Sequence, residues 1–166
     1  MNNKIIIKNQ LESGYSSKVY IVEINGEKYI MKQSPIIDTN SSNFDIPLWR
    51  EIDMSLSINK LSKENIKFFM KTIDFKIVKC NGIYEDYSKP ELIKVKTNKC
   101  LQVIYEFKGP TLNNLLINQN LKSKEKYSMI IQIIYALNLL KTKGYIHNDV
   151  HSSNITFNKT DKKIKV

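Results

Sequence analysis

Apolar residues recur along this chain with two different spacings, and the change from one to the other marks out its parts. Residues 5–7 and 18–24 are short β-rich runs, and Asn25-Gly26 joins the second run to residues 27–32. Asn-Gly between two such runs predicts a two-residue hairpin, because a type I′ turn needs positive φ at both central positions. Residues 34–43 are polar and read as a loop. Behind Pro47 the spacing becomes helical over residues 48–60, with Trp49, Ile52 and Leu56 on one face. Residues 72–78 and 101–107 are strand-like again. Between them, residues 79–99 are polar and mixed, with Gly82 and Pro90, and read as an inserted loop.

The remainder is mostly helical. Residues 111–118 form a short helix candidate. Ser123 is the expected N-cap of a longer helix running to about residue 143, with Glu125 in its first turn and Gly144 just past its end. In that helix Met129, Ile130, Ile131, Ile133, Ile134, Ala136, Leu137 and Leu140 cover an arc of roughly 220° at 100° per residue. A helix so apolar is expected to be wrapped on most sides, by a partner chain or by a C-terminal segment covering residues 123–143. After it, residues 155–157 read as a short strand, 158–161 as a turn and 163–166 as a returning strand.

A length of 166 residues suggests one domain. The formal charge is +10, yet 25 of the 26 basic residues are Lys and only Arg50 is Arg. Lys, Ile and Asn together make up 68 of the 166 residues, all with A/T-rich codons. An AT-rich microbe or large DNA virus would suit that bias. The lysines are scattered, without the Arg and interleaved aromatics that nucleic-acid surfaces use, so nucleic acid is not expected as a partner. Cys80 and Cys100 have no C-x-x-C or zinc spacing and make a poor disulfide framework, which favours a reducing compartment. The longest apolar stretch, residues 129–140, has twelve residues and is interrupted by Gln132 and Asn138, too short to span a bilayer. No signal peptide is visible. The expectation is a soluble protein of the cytoplasm, or of a host cell or virion if the source is viral.

The chemistry concentrates in His147-Asn148-Asp149-Val150-His151-Ser152-Ser153-Asn154, which has the form H-x-D-x-x-x-x-N. This stretch resembles the catalytic loop of protein-kinase-like phosphotransferases, here of a divergent eukaryotic Ser/Thr type. In that family the aspartate accepts the proton of the substrate hydroxyl and the asparagine oxygen holds Mg²⁺. Three further matches lie upstream in the family's order. Residues 11–19 fit the frame of the glycine-rich loop, with Leu11 at its start and Val19 last. Only its middle glycine, Gly14, is present; Glu12 and Ser17 take the other two places. Tyr29-Ile30-Met31-Lys32 resembles the motif whose lysine meets the α- and β-phosphates. Glu51, 19 residues on, stands where the family has that lysine's carboxylate partner. Tyr105, Glu106 and Phe107 resemble the connection that lines the adenine pocket, with Tyr105 guarding its back.

The resemblance implies an α+β fold. Residues 1–107 would form a five-stranded antiparallel small lobe with one main helix, and residues 108–166 would begin the helical large lobe with its catalytic loop. It implies ATP and Mg as cofactors, with Asp149, Asn154, Lys32 and Glu51 catalytic and Asn154 the metal ligand. The substrate would be a protein Ser/Thr hydroxyl. Two departures bear on this. Asn148 replaces an arginine that usually meets a phosphorylated activation loop, so that regulation is not expected. His151 stands where protein Ser/Thr kinases usually have lysine, as in aminoglycoside- and choline-type kinases, which keeps small-molecule substrates open. His147 and His151 do not make the zinc motif H-E-x-x-H, since Asn148 holds the glutamate's place. The D-F-G stretch, whose aspartate binds Mg²⁺ in the family, would follow residue 166. These residues alone are therefore expected to transfer phosphate weakly or not at all, and an inactive, kinase-derived binding module is the rival reading.

Overall fold

The computed structural model describes residues 4–11, 17–36, 47–86, 93–118, 121–160 and 163–165. It divides into two compact units: Met1–Leu56 with Lys71–Phe107, and Ser57–Met70 with Lys108–Val166.

The first unit is an antiparallel sheet of five strands: β1 (Ile5–Gln10), β2 (Lys18–Ile24), β3 (Glu27–Pro35), β4 (Thr72–Asp86) and β5 (Ile93–Glu106), in the order β1-β2-β3-β5-β4. The Asn25-Gly26 turn forms as expected, with φ of 53° and 84°, and sets Ile24 opposite Glu27. Glycine and asparagine tolerate that left-handed backbone at least cost. Strand β5 lies between β3 and β4. Cys100, Leu101, Gln102, Val103, Ile104 and Tyr105 are all buried, so both of its faces are covered. Val22, Met31 and Ile104 form a core cluster, with Ile5, Tyr20, Ile24 and Tyr29 packed against it. The single buried amide in this run, Gln102, accepts a hydrogen bond from the Gln33 amide on β3 at 3.1 Å.

Helix α1 (Pro47–Asn59) turns a narrower stripe inward than its sequence suggests. Ile52 and Ser55 are buried and Trp49 is half-buried, but Leu56 is 38% exposed. Two other expectations are corrected here. Residues 79–99 are not an inserted loop: β4 continues to Asp86 and β5 begins at Ile93, paired down to Asp86↔Ile93 around a register shift between Lys79 and Gly82. Likewise Ser34 and Pro35, read as loop, complete β3 opposite Leu101 and Cys100. The extended hairpin also overturns the reading of the cysteines. It brings Cys80 beside Cys100, with Cα atoms 5.8 Å apart, and the two form a disulfide. Their spacing carries no motif because strand pairing, not a local turn, joins them.

The second unit holds α2 (Leu112–Asn118), α3 (Ser123–Thr142) and the two-stranded ladder β6 (Asn158–Thr160) and β7 (Lys163–Lys165). Leu112, Leu115, Leu121, Met129 and Phe157 are its buried core, with Ile133 and Ile155 against them. Lys122, not Ser123, caps α3: its backbone is extended, and its N–H donates to the Glu125 carboxylate at 2.8 Å. This carboxylate contact is one half of a capping box. At the other end the Tyr145 N–H reaches the Leu140 carbonyl and the Gly144 N–H the Lys141 carbonyl, at 3.0 and 2.9 Å. With Gly144 at φ 83° this is a Schellman ending. The expected wrapping of α3 is not seen among the described residues. Met129 and Leu140 are buried, whereas Ile130, Ile131 and Ile134 are 52%, 66% and 61% exposed. The terminal hairpin is shifted too: its first strand is Asn158–Thr160 rather than 155–157.

Candidate active site

The residues singled out by sequence fall into two groups, one in each unit. In the first, Lys32 sits on β3 between Val19 of β2 and Val103 of β5. Its ammonium donates to both oxygens of Glu51 on α1, each at 2.8 Å. Both side chains are half-buried, so the pair is partly shielded from water yet not fully desolvated. Such a pair adds little net stability but holds a charge in one place. The Tyr105 hydroxyl, from β5, donates to Glu51 Oε1 at 3.1 Å. Burial, and then the Glu51 charge, push the Tyr105 phenol well above its ordinary range, against a smaller opposing effect of a Ser55 hydrogen bond. The phenol therefore stays protonated and acts as a donor.

Around this pair, the Leu11 N–H donates to the Val19 carbonyl at 2.9 Å, and Val19 is half-buried. Glu12 and Gly14, at the centre of the expected phosphate loop, lie outside the described residues. The Glu106 N–H donates to the Lys71 carbonyl at 2.8 Å, while Glu106 and Phe107 are half-buried at the end of β5.

In the second unit, Asp149 and Asn154 come together although five residues separate them. The Asn154 amide donates to Asp149 Oδ2 at 2.9 Å and to the Asp149 carbonyl at 3.0 Å. That turns the amide nitrogen toward Asp149 and leaves Oδ1 as the group suited to a hard cation, which takes oxygen ligands. Asp149 is exposed, and its carboxylate lies 3.7 Å from His151 Nε2. The loop is shaped by local bonds. The Asp149 N–H donates to His147 Nδ1 at 3.3 Å, and the Asn154 N–H closes a tight turn on the His151 carbonyl at 3.0 Å. Asn148 takes φ 55°, a left-handed conformation that asparagine adopts more readily than most residues.

Behind this loop, the short strand read at residues 155–157 is present as one bridge, Thr111 to Thr156. It is reinforced by Leu112 N–H to the Ile155 carbonyl at 2.7 Å and Phe157 N–H to the Pro110 carbonyl at 3.1 Å. Sequence reasoning missed Gly109 here, whose φ of 113° lets the chain pass close to the Phe157 carbonyl. It also missed the bond between Ser152 and Asn113, 3.4 Å, and that between Tyr105 and Glu51. Both join residues far apart in sequence. Only Gly109, beside Pro110, left a local trace. Among the described residues no cluster of three or more His, Cys, Asp or Glu could hold a metal ion.

With the geometry in place, comparison with known families is decisive. A family model described as protein tyrosine and serine/threonine kinase matches residues 5–166. The chain belongs to this family. No curated protein matches it. The five-stranded antiparallel sheet with its helices is the kinase-type α+β fold, and the chain is a protein-kinase-like phosphotransferase. Kinases of this family use ATP and Mg²⁺. Among the described residues no helix is long and apolar enough to cross a membrane.

Proposed function

We propose that this chain carries the nucleotide- and substrate-handling residues of an ATP-dependent kinase that phosphorylates protein Ser/Thr hydroxyls. Residues 1–107 act as the small lobe and residues 108–166 as the start of the large one. The observation that carries this reading is the Lys32–Glu51 ion pair, formed with two 2.8 Å contacts across 19 residues. Lys32 would hold the α- and β-phosphates and Glu51 would hold Lys32. Asp149 would take the proton of the substrate hydroxyl, and Asn154 Oδ1 would bind Mg²⁺, which neutralises the charge on the phosphates when bound. Leu11, Gly14, Val19, Tyr105, Glu106 and Phe107 would line the nucleotide. No Asp-Phe-Gly follows Asn154 within these 166 residues. Transfer by this stretch alone is therefore expected to be very weak or nil.

The test is a thermal shift of the purified chain with Mg-ATP, beside Lys32→Ala and Asp149→Ala. Ligand at about 100-fold over Kd adds roughly 2.7 kcal/mol, which for this size raises Tm by about 5–10 °C. A shift present in the wild type and lost in Lys32→Ala supports the reading; no shift in a well-folded protein counts against it. Robust transfer abolished by Asp149→Ala would overturn the expectation of weak activity alone.

The exposed Ile130, Ile131 and Ile134 of α3 favour a second reading, a kinase-derived module that binds another chain. Its mark would be an oligomer that persists in Lys32→Ala and Asp149→Ala. The His151 position keeps a small hydroxylated substrate as a third, tested by offering such compounds beside protein.

A further inference from the structure

Glu51 receives hydrogen bonds from two strands at once. Lys32 on β3 donates to both carboxylate oxygens at 2.8 Å, and Tyr105 on β5 donates to Oε1 at 3.1 Å. The two donors differ in stiffness. Lysine is a compact charge on a four-carbon stem and follows its partner over a range of positions. A tyrosine has two side-chain torsions, and this one is only 8% exposed, on a strand buried on both faces. Its oxygen is therefore held by the sheet, and it marks one point in space for Oε1. Ser55, buried and one helical turn after Glu51, shifts the phenol pKa only in the lowering direction and by less than burial and Glu51 raise it, so Glu51 is the contact on α1 that the geometry gives to Tyr105.

We propose that Tyr105 is a positioning residue: its buried hydroxyl fixes Glu51 on α1, and through Glu51 the ammonium of Lys32. This rests on the kinase reading for its purpose, since a fixed Lys32 matters only if Lys32 meets phosphate. The hydroxyl itself touches neither nucleotide nor metal in this scheme. It acts by limiting where the Lys32 charge can go. Without it, the ion pair would still form but would wander, and the lysine would be free of its carboxylate for more of the time.

The experiment reads Lys32 directly and needs no nucleotide. The purified chain is treated at pH 8 with limiting acetyl N-hydroxysuccinimide ester, and each lysine's acylation rate is followed by peptide mass spectrometry. Wild type, Tyr105→Phe, Glu51→Ala and the double variant are compared. Lys32 should react about tenfold faster in Tyr105→Phe, the lower end of what a hydrogen bond to a charged group is worth. The other lysines should keep their rates. In the Glu51→Ala background Tyr105→Phe should change nothing further, because the phenol acts only through Glu51. An unchanged Lys32 rate in Tyr105→Phe, or an equal gain in both backgrounds, overturns the proposal. If Tyr105→Phe does not fold, a slowly exchanging Tyr105 hydroxyl proton decides by NMR: expected in the wild type, and its absence there overturns the proposal. Mg-ATP binding, measured alongside, should weaken about tenfold in Tyr105→Phe. A wild type that binds no Mg-ATP would sink the kinase reading, while the Lys32 rates still judge Tyr105. Wild-type binding with unaltered Lys32 rates would sink the Tyr105 inference alone.

Discussion

Replacing Gly109 by alanine should cost this protein more stability than any other single methyl group added to its described glycines. A Cβ built there lies 2.4 Å from the Phe157 carbonyl oxygen, closer than real contacts allow, and φ is 113°. The backbone conformation alone costs an L-residue about 1–3 kcal/mol. Overlap adds to it, because the Phe157 oxygen is main chain and cannot rotate away; segment 155–157 must move as a whole. That segment carries the Thr111–Thr156 bridge, the Leu112–Ile155 and Phe157–Pro110 hydrogen bonds and the buried Phe157 ring. A total of about 3–4 kcal/mol follows, with at least one of those hydrogen bonds broken or stretched. Gly144 supplies the control. Its φ is 83°, but nothing lies within 4 Å of the added Cβ, so Gly144→Ala isolates the backbone cost at about 1–2 kcal/mol. Urea unfolding of both variants beside the wild type gives the difference. Equal losses for Gly109→Ala and Gly144→Ala would refute the close-approach argument, since both sites have positive φ and only Gly109 faces a clash.

The Cys80–Cys100 disulfide closes a loop of 20 residues, so reduction should lower stability by about 3 kcal/mol, or about 6–12 °C in Tm; two free thiols in the unreduced, unfolded chain would contradict the bond. Tyr105 is raised in the folded state, so its contribution is intact below the unfolded phenol pKa of 10.0 and is lost as pH rises above it. Unfolding free energy should therefore fall above pH 10 by up to about 1.4 kcal/mol per pH unit on account of this group, and Tyr105→Phe should flatten that slope; identical slopes would show the phenol ionising freely. On α3, Ile131→Lys with Ile134→Lys should change stability by less than about 0.5 kcal/mol each, whereas Met129→Ala, buried at 4% exposure, should cost about 2–5 kcal/mol. A large loss in the isoleucine pair would mean that this face is covered in solution.

What could be read from the sequence was what local chemistry decides. Asn25-Gly26 dictates its own turn, and the turn sets the register that puts Lys32 on β3 opposite Val19. Gly144 ends α3 for the same kind of reason. Residues 79–86 and 93–99 were misread because an edge hairpin need not bury apolar residues; its strands are held by main-chain pairing, to which polar side chains are no obstacle. The cysteine reading failed with it. The N-cap moved from Ser123 to Lys122 because an extended backbone and a glutamate three residues on do the capping without a hydroxyl. In the candidate site, Asp149 and Asn154 were legible because five residues and one tight turn bring them together. Glu51 was legible only by analogy of position, and the Tyr105–Glu51 bond, spanning 54 residues, not at all.

That last contact changes how the first unit is understood. A strand buried on both faces is the place where apolar residues contribute most and polar ones cost most. Yet β5 ends its buried run with a phenol whose hydroxyl must find a partner, and the partner is a carboxylate already paired with a lysine. An apolar trio of similar volume would match or exceed this network in stability, since replacing a partly buried ion pair by well-packed hydrophobes is often neutral or favourable. Stability therefore does not account for Lys32, Glu51 and Tyr105. What the trio provides, and hydrophobes could not, is a cation held at a defined point with both oxygens of its partner engaged. On the proposed reading that point is where the phosphates of ATP are met, and the phenol is the part of the device that keeps it still.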